Sequence, residues 1–338
     1  MILRLVRRLT LAALGLSVLP LFAQSPFQFP TANHALYEIG GEAKFLAPTS
    51  PDRPASTGGF GCVRTDGWQM HEGIDILHLQ ADKRGEPTDP VLASADGTVV
   101  YVNGKSGLSN YGKYVVIRHM VDGIEIYSLY AHLSDIAPGI AAGKAVRGGE
   151  TVAVMGRTGQ PIGKERAHLH FEFNLLANDN FQAWFKKNSS PGERNDHGIW
   201  NGQNLDGLDP LEIFIAEHHP TKTFNLATYL RSQTELCRVL VRETSFSYLK
   251  RYPALVLKNP TAEKEGVAGY EISLNYNGVA FALMPRGASE IKGAAKIQLL
   301  SVNAAEYRAH PCRKLVVQRG SRWQLTDKGQ REIQSLIY

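Results

Sequence analysis

The chain has 338 residues and a formal net charge of +5, with 43% hydrophobic and 20% charged side chains. That length allows two domains of ordinary size. Residues 1–23 hold three Arg and no acidic residue, so without them the charge falls to about +2, which gives no support for a nucleic-acid partner.

The N-terminus reads as a secretory signal. Arg4, Arg7 and Arg8 precede an apolar run, Leu9 to Phe22, interrupted only by Thr10, Gly15, Ser17 and Pro20. Cleavage is expected after Ala23, although Leu21 fits the small-x-small rule less well. The run is short for a bilayer span, and no later stretch is long and apolar enough for one. No Cys follows the cleavage point, so lipid attachment there has no acceptor. The expected location is exported, periplasmic or extracellular.

Residues 24–60 are rich in Pro, Gly, Ser and Thr and read as an irregular entry segment. From 61 to 176 short β-like runs follow one another, with no sustained helical period. Pro90 to Val102 reads as strand, turn at Asp96-Gly97, strand. Tyr114 to His119 and Ile124 to Tyr130 flank Asp122-Gly123, a hairpin signature. Lys144–Arg147 and Thr151–Met155 are two further strands. Asn180 to Lys187 reads as a short helix, with Phe181, Trp184 and Phe185 on one side as packing groups. Ser189 to Leu208 reads as a long loop, and Pro210 to Ala216 as a closing helix or turn.

Residues 217–222 read as a linker, and 223–338 as a smaller β-rich C-terminal domain. Strands are expected at Cys237–Arg242, Ala254–Leu257, Tyr270–Leu283 (a hairpin with Asn277-Gly278 at its tip) and Lys296–Val302. Leu315–Leu325 reads as another hairpin, and Thr326–Ile337 as a terminal helix capped by Thr326. Of the three cysteines, Cys237 and Cys312 are expected to pair because both lie in this part, with Cys62 left as a buried thiol. His310 and Cys312 form at most a weak metal pair.

Chemistry concentrates in two stretches. In His71-Glu72-Gly73-Ile74-Asp75, an extended backbone puts His71, Gly73 and Asp75 on one face, and Gly73 leaves space close to the backbone. In Ala167-His168-Leu169-His170-Phe171-Glu172-Phe173, alternation puts His168, His170 and Glu172 on one face. The apolar residues between them take the other. One imidazole from this second stretch, with His71 and Asp75, makes three ligands of the types zinc prefers, leaving a fourth position open.

The motifs, in order, are His71-Glu72-Gly73-Ile74-Asp75-Ile76; Pro90-Val91-Leu92-Ala93 with Ala95-Asp96-Gly97-Thr98-Val99; Tyr111-Gly112-Lys113-Tyr114-Val115-Val116-Ile117-Arg118-His119; Tyr130-Ala131-His132-Leu133; Gly156-Arg157-Thr158-Gly159; and His168-Leu169-His170-Phe171-Glu172. Over residues 61–216 this series resembles the lysostaphin- and LytM-like zinc metallopeptidases.

The resemblance implies a mainly β fold, a compact antiparallel sheet with a groove across it. It implies one Zn2+ per chain held by His71, Asp75 and His170, with His132 and His168 as catalytic residues. Glu172 is placed to orient a ligand from behind. The implied activity is hydrolysis of peptide cross-links in peptidoglycan by zinc-activated water, with stem peptides as substrate. Two alternatives are a catalytically silent regulator and a cell-wall-binding protein. The bond could be a D-alanyl to diaminoacyl link or one in a glycine bridge. The run Gly163–Ala167 and the long 177–208 loop depart from the family pattern, and residues 24–60 could occlude the site. His34, His78, His119, His197, His218 and His219 read as structural or surface groups. Tyr111 and Tyr114 could line a cleft.

Overall fold

The computed structural model describes residues 26–338. The expected signal segment, 1–23, lies outside the described residues. The architecture is organised by the strand His168–Leu176, every residue of which is buried. Leu169, Phe171, Phe173 and Leu175 enter the main hydrophobic core, while the polar residues between them take the opposite face. This strand is central in a seven-stranded sheet. Ile124–Leu133 pairs along one edge. Ile74–Leu77 and Leu205–Leu208 pair end to end along the other. Beyond Ile124–Leu133 come Lys113–Val121, Gly97–Asn103 and Ala145–Val146.

All the pairings between strands are antiparallel. No α-helix interrupts residues 61–176, as the absence of a helical period indicated. The hairpin at Asp122-Gly123 forms with both residues at positive φ, 50° and 76°, the backbone of a two-residue turn that matches strand twist.

Two local readings are corrected. The segment after residue 24 is not merely an irregular lead-in. Phe27, Phe29, Phe45 and Leu46 are buried. Phe29 packs against Phe45 and Phe214, with ring centroids 5.3 and 4.7 Å apart. These residues cover the core face of the sheet, opposite the face that carries His168 and His170. Only the following stretch, at Thr49, reaches the groove. The backbone amide of Ala47 donates to Asp75 O at 2.8 Å, bracing the strand that carries Asp75. Within the expected loop 189–208, Leu205–Leu208 is a strand. Asp206-Gly207 has a turn's composition, but a Cβ at Gly207 would lie 2.7 Å from Glu72 O, so glycine serves close approach there.

The C-terminal part has a four-stranded sheet in the order Ala280–Arg286, Gly269–Leu274, Cys237–Val241, Ile297–Val302. The hairpin Val316–Arg319 with Arg322–Leu325 follows, then the helix Asp327–Leu336. Thr326 caps that helix, its hydroxyl accepting from Gly329 N at 3.0 Å. The expected strand Ala254–Leu257 is instead a 3-10 turn, Pro253–Leu255, because Pro253 fixes φ and suits a first helical turn. Helices at Leu226–Arg231, Ser247–Arg251, Pro260–Glu265 and Ala304–Ala309 were not anticipated. At five or six residues each, they show no period.

The cysteine expectation is overturned. Cys62 bonds Cys312, with Cα atoms 5.4 Å apart, and Cys237 is a buried free thiol. Nearness in sequence was a poor guide because loop-closure entropy grows only slowly with length. Loss of this cross-link in Cys62→Ala should cost about 2–5 kcal/mol, read as a lower denaturant midpoint. An unchanged midpoint would show that the bond does not form.

His119 is buried, its Nδ1 donating to Asp96 O at 3.0 Å and its Nε2 paired with Ser128 Oγ at 2.7 Å. Burial, opposed by the Asp96 carbonyl, brings its pKa down to about 4. The unfolded chain therefore binds a proton near pH 6.5 that the folded chain refuses until about pH 4. Stability from this group is complete above pH 6.5 and falls as pH drops through that window, by about 3 kcal/mol in all. Denaturant titrations at several pH values should show a shallower acid limb in His119→Gln than in the parent.

Candidate metal centre

The register places His170 directly opposite Asp75 on one side and Ala131 on the other. His71 ends the short strand Gln69–His71, three residues before Ile74–Leu77 begins. Three donor atoms converge as a result. His71 Nε2 and His170 Nδ1 are 3.1 Å apart. Asp75 Oδ1 is 3.0 Å from His170 Nδ1 and 3.2 Å from His71 Nε2. All three residues are at most 6% exposed.

The hydrogen bonds fix which imidazole nitrogens face the centre. His71 Nδ1 donates to Gly59 O at 2.6 Å, so Nε2 presents its lone pair. His170 Nε2 donates to Glu172 Oε1 at 2.8 Å and Nδ1 lies 3.0 Å from Asp75 Oδ1; against burial, these two carboxylates push His170 up to about 10, so a metal at Nδ1 would displace a proton. Protons hold these donor atoms together here, from Arg64 Nη2 on His71 Nε2 at 2.9 Å and from His170 Nδ1 toward Asp75 Oδ1 at 3.0 Å, and a bound cation would take their place. Tetrahedral zinc bound at about 2.0–2.1 Å separates its ligands by about 3.3 Å, close to the spacing found. The donor set therefore fits a zinc-like ion. Burial alone would raise the Asp75 carboxyl, but the charges of His168 and His71, with hydrogen bonds from His168 and His170, hold it well below the usual range. Burial pushes His71 down, favouring the neutral, ligating form.

The other two expected residues stand alongside. His168 Nδ1 donates to Arg166 O at 2.6 Å, and its Nε2 lies 3.3 Å from Asp75 Oδ2. His132 Nδ1 donates to Thr158 O at 2.9 Å. Its backbone has φ 61°, a strained conformation for a non-glycine residue. The His132 ring is 5.1 Å from that of His168 and 5.7 Å from that of His170. Burial, with the charges of His168 and His170, brings His132 down to about 3, so it is neutral near pH 7. All five sequence-selected residues thus line one groove of about 770 Å³.

Several participants were not singled out from sequence. Arg64 Nη2 reaches Asp75 Oδ2 at 2.5 Å and His71 Nε2 at 2.9 Å. Tyr111, read only as a possible cleft lining, donates its hydroxyl to Glu172 Oε1 at 2.7 Å. Asn174 Nδ2 donates to Glu172 Oε2 at 2.8 Å, so both carboxylate oxygens of Glu172 are engaged. His197 lines the groove with Asn201 and Gln203 from the long loop. Gly73 does not make room for a ligand. A Cβ there would lie 2.3 Å from Phe171 O, so what approaches it is the neighbouring strand. The weak pair His310 and Cys312 is not a metal pair: Cys312 is in the disulfide, and His310 stacks on Tyr276 with centroids 4.0 Å apart.

Residues 69–182 match the model of Peptidase family M23. The chain carries an M23 peptidase domain. DD-carboxypeptidase/endopeptidase Mpg of Neisseria meningitidis serogroup B is 42% identical over 108 residues, 32% of this chain and 21% of that protein. The Lipoprotein NlpD/LppB homolog of Pseudomonas aeruginosa is 38% identical over 120 residues, 35% of this chain and 34% of that protein. The chain therefore spans from about a fifth to a third of the length of these relatives. The catalytic domain of lysostaphin from Staphylococcus simulans is 26% identical across 34% of this chain and 74% of that one, with a TM-score of 0.25. The His71–Asp75–His170 cluster, a candidate metal site, lies within the stretch matched by the M23 model.

Glu172 should act through His170. Glu172→Ala should weaken zinc binding by about 10–100-fold, measured by competition with a chromophoric chelator. Unchanged affinity would remove Glu172 from the centre.

Proposed function

We propose that the chain is an exported zinc metalloendopeptidase that hydrolyses peptide cross-links of peptidoglycan. His71, Asp75 and His170 would hold one zinc ion per chain. The observation that carries this reading is the convergence of His71 Nε2 and His170 Nδ1, 3.1 Å apart, with Asp75 Oδ1 beside both. Zinc supplies Lewis acidity there, polarising a carbonyl oxygen and making water acidic enough to lose a proton near neutral pH.

The chain's own residues supply the rest. With Nδ1 committed to Thr158 O, neutral His132 offers Nε2 as a proton acceptor. His168, anchored through Nδ1 to Arg166 O, holds Nε2 beside Asp75. Two imidazoles so placed can take a proton and return it to the leaving amine. The groove supplies an extended binding surface from Tyr111, Gln160–Ile162 and Asn201–Gln203. The substrate class follows from the likeness to a protein named as a DD-carboxypeptidase/endopeptidase, and export from the N-terminal apolar run.

Likeness to an NlpD/LppB homolog favours a second reading, a catalytically silent regulator. The complete ligand set weighs against it, since a protein without turnover has no need of three converging donors and two further imidazoles. Release of new amino groups from purified peptidoglycan separates the readings. The zinc-loaded protein should release them. His170→Ala should lose both zinc and turnover. His168→Ala should retain stoichiometric zinc while turnover falls by about 10²–10⁴-fold. A zinc-loaded parent that releases nothing would overturn the enzymatic reading, and parallel metal loss in both variants would overturn the division of roles.

A further inference from the structure

A second cavity, of about 370 Å³, lies between the edge strand Leu205–Leu208 and the terminal helix Asp327–Leu336. It shares Gln203 and Lys328 with the groove, so the two adjoin. Its size is that of a small-molecule site. Trp184, Leu274, Leu315 and Leu336 give it apolar walls. None of the chemistry already described uses it.

Asp206 faces this space. The residue is 6% exposed and lines the cavity. Among the described residues its carboxyl group has neither a hydrogen-bond nor an ion-pair partner. Of the other charged residues lining the cavity, Arg313 binds Glu332 Oε1 through Nη2 at 2.5 Å and donates from Nε to Asn277 O at 3.0 Å, while the Arg331 guanidinium lies over the Trp184 ring, 5.7 Å from its centroid. Burial and the Glu332 charge, opposed by Arg313, push Asp206 up to about 8. Ser335, also 6% exposed, lines the same cavity with a hydroxyl that has no partner. Buried polar groups are ordinarily satisfied, and one that is not has a reason. At the rim shared with the groove stands Lys328, an ammonium without an ion-pair partner among the described residues.

Apolar walls, an unmatched carboxyl group inside and an unmatched ammonium at the mouth define the complementary ligand. It carries a cationic nitrogen, beside which Asp206 would ionise on binding, a carboxylate for Lys328 and an aliphatic portion for the walls. We propose that this cavity binds an aliphatic amino-acid zwitterion through Asp206 and Lys328. The zwitterion can be a free amino acid, or the amino-acid end of a diamino side chain on a peptide lying in the adjoining groove. The second source rests on the peptidoglycan reading; the first does not.

Calorimetric titration of the full chain, stripped of zinc so that no turnover intrudes, tests both sources. The probes are norleucine, in each enantiomer, and a tripeptide ending in diaminopimelate. Saturable binding of norleucine supports a free amino acid as ligand, and binding of the tripeptide alone supports an extension of the groove. Either affinity should fall about tenfold or more in Asp206→Asn, and several-fold in Lys328→Gln. Lys328 is exposed, so its variant keeps the test valid if Asp206→Asn fails to fold. No binding of either probe up to about 10 mM, or equal affinity in folded variants, would overturn the proposal. Since no hydrolysis is measured, failure of the peptidase reading would leave a norleucine result standing, and the reverse holds as well.

Discussion

The pairing of His170 with Asp75 across two antiparallel strands is the constraint on which the site depends. Side chains alternate along a strand, so a slip of one residue would carry His170 into the core and bring Leu169 or Phe171 to the metal face. Registry is held by the opposite face. Phe171 and Phe173 pack against Phe214, with centroids 5.9 and 5.6 Å apart, and Phe27 lies 4.5 Å from Phe173. The aromatic core therefore does chemical work at one remove. It selects the register in which His170 stands opposite Asp75.

Convergence alone would not make a ligand set. Each imidazole needs the correct nitrogen free, and the protein arranges this with four different acceptors: Gly59 O for His71, Glu172 for His170, Arg166 O for His168 and Thr158 O for His132. Arg64 adds an opposing element. Its guanidinium donates to the same His71 nitrogen that would ligate a metal. A single lone pair cannot serve both, so metal binding requires Arg64 to give up His71, while Asp75 Oδ2 can keep it. The guanidinium also screens a buried carboxylate that would otherwise face two imidazoles alone.

Alternation made much of this legible in the sequence. His168 and His170 fall on one face because Leu169, Phe171 and Phe173 must fall on the other, and turns such as Asp122-Gly123 declare themselves by backbone need. The Thr326 cap was legible for the same local reason. What could not be read depends on distance in sequence. Arg64 looks like any surface arginine until its hairpin folds beside Asp75. Cys62 finds Cys312 across 250 residues, against any preference for the near partner. Phe27, Phe29 and Phe45 lie among Pro, Gly and Ser, so their role in the core is hidden by the composition around them. The short helices of the C-terminal part are set by caps such as Asn225, Asn259 and Asn303 and by packing, not by a period.

The disulfide and its surroundings change what the C-terminal part is to the site. The strand Gly61–Arg64 pairs with Gln69–His71, and so carries both Arg64 and the position of His71. That same strand holds Cys62, bonded to the C-terminal part, and Gly61, where a Cβ would lie 2.7 Å from Tyr276 Oη. Asn277 Nδ2 donates to Gly207 O at 2.7 Å, and Tyr252 Oη accepts from Leu176 N, at the end of the central strand, at 2.7 Å. A tethered module joined only by a linker would leave His71 and His170 indifferent to its presence. Here the C-terminal part grips the hairpin that positions His71 and the end of the strand that bears His170. Its packing is therefore part of what holds His71 and His170 within 3.1 Å of each other.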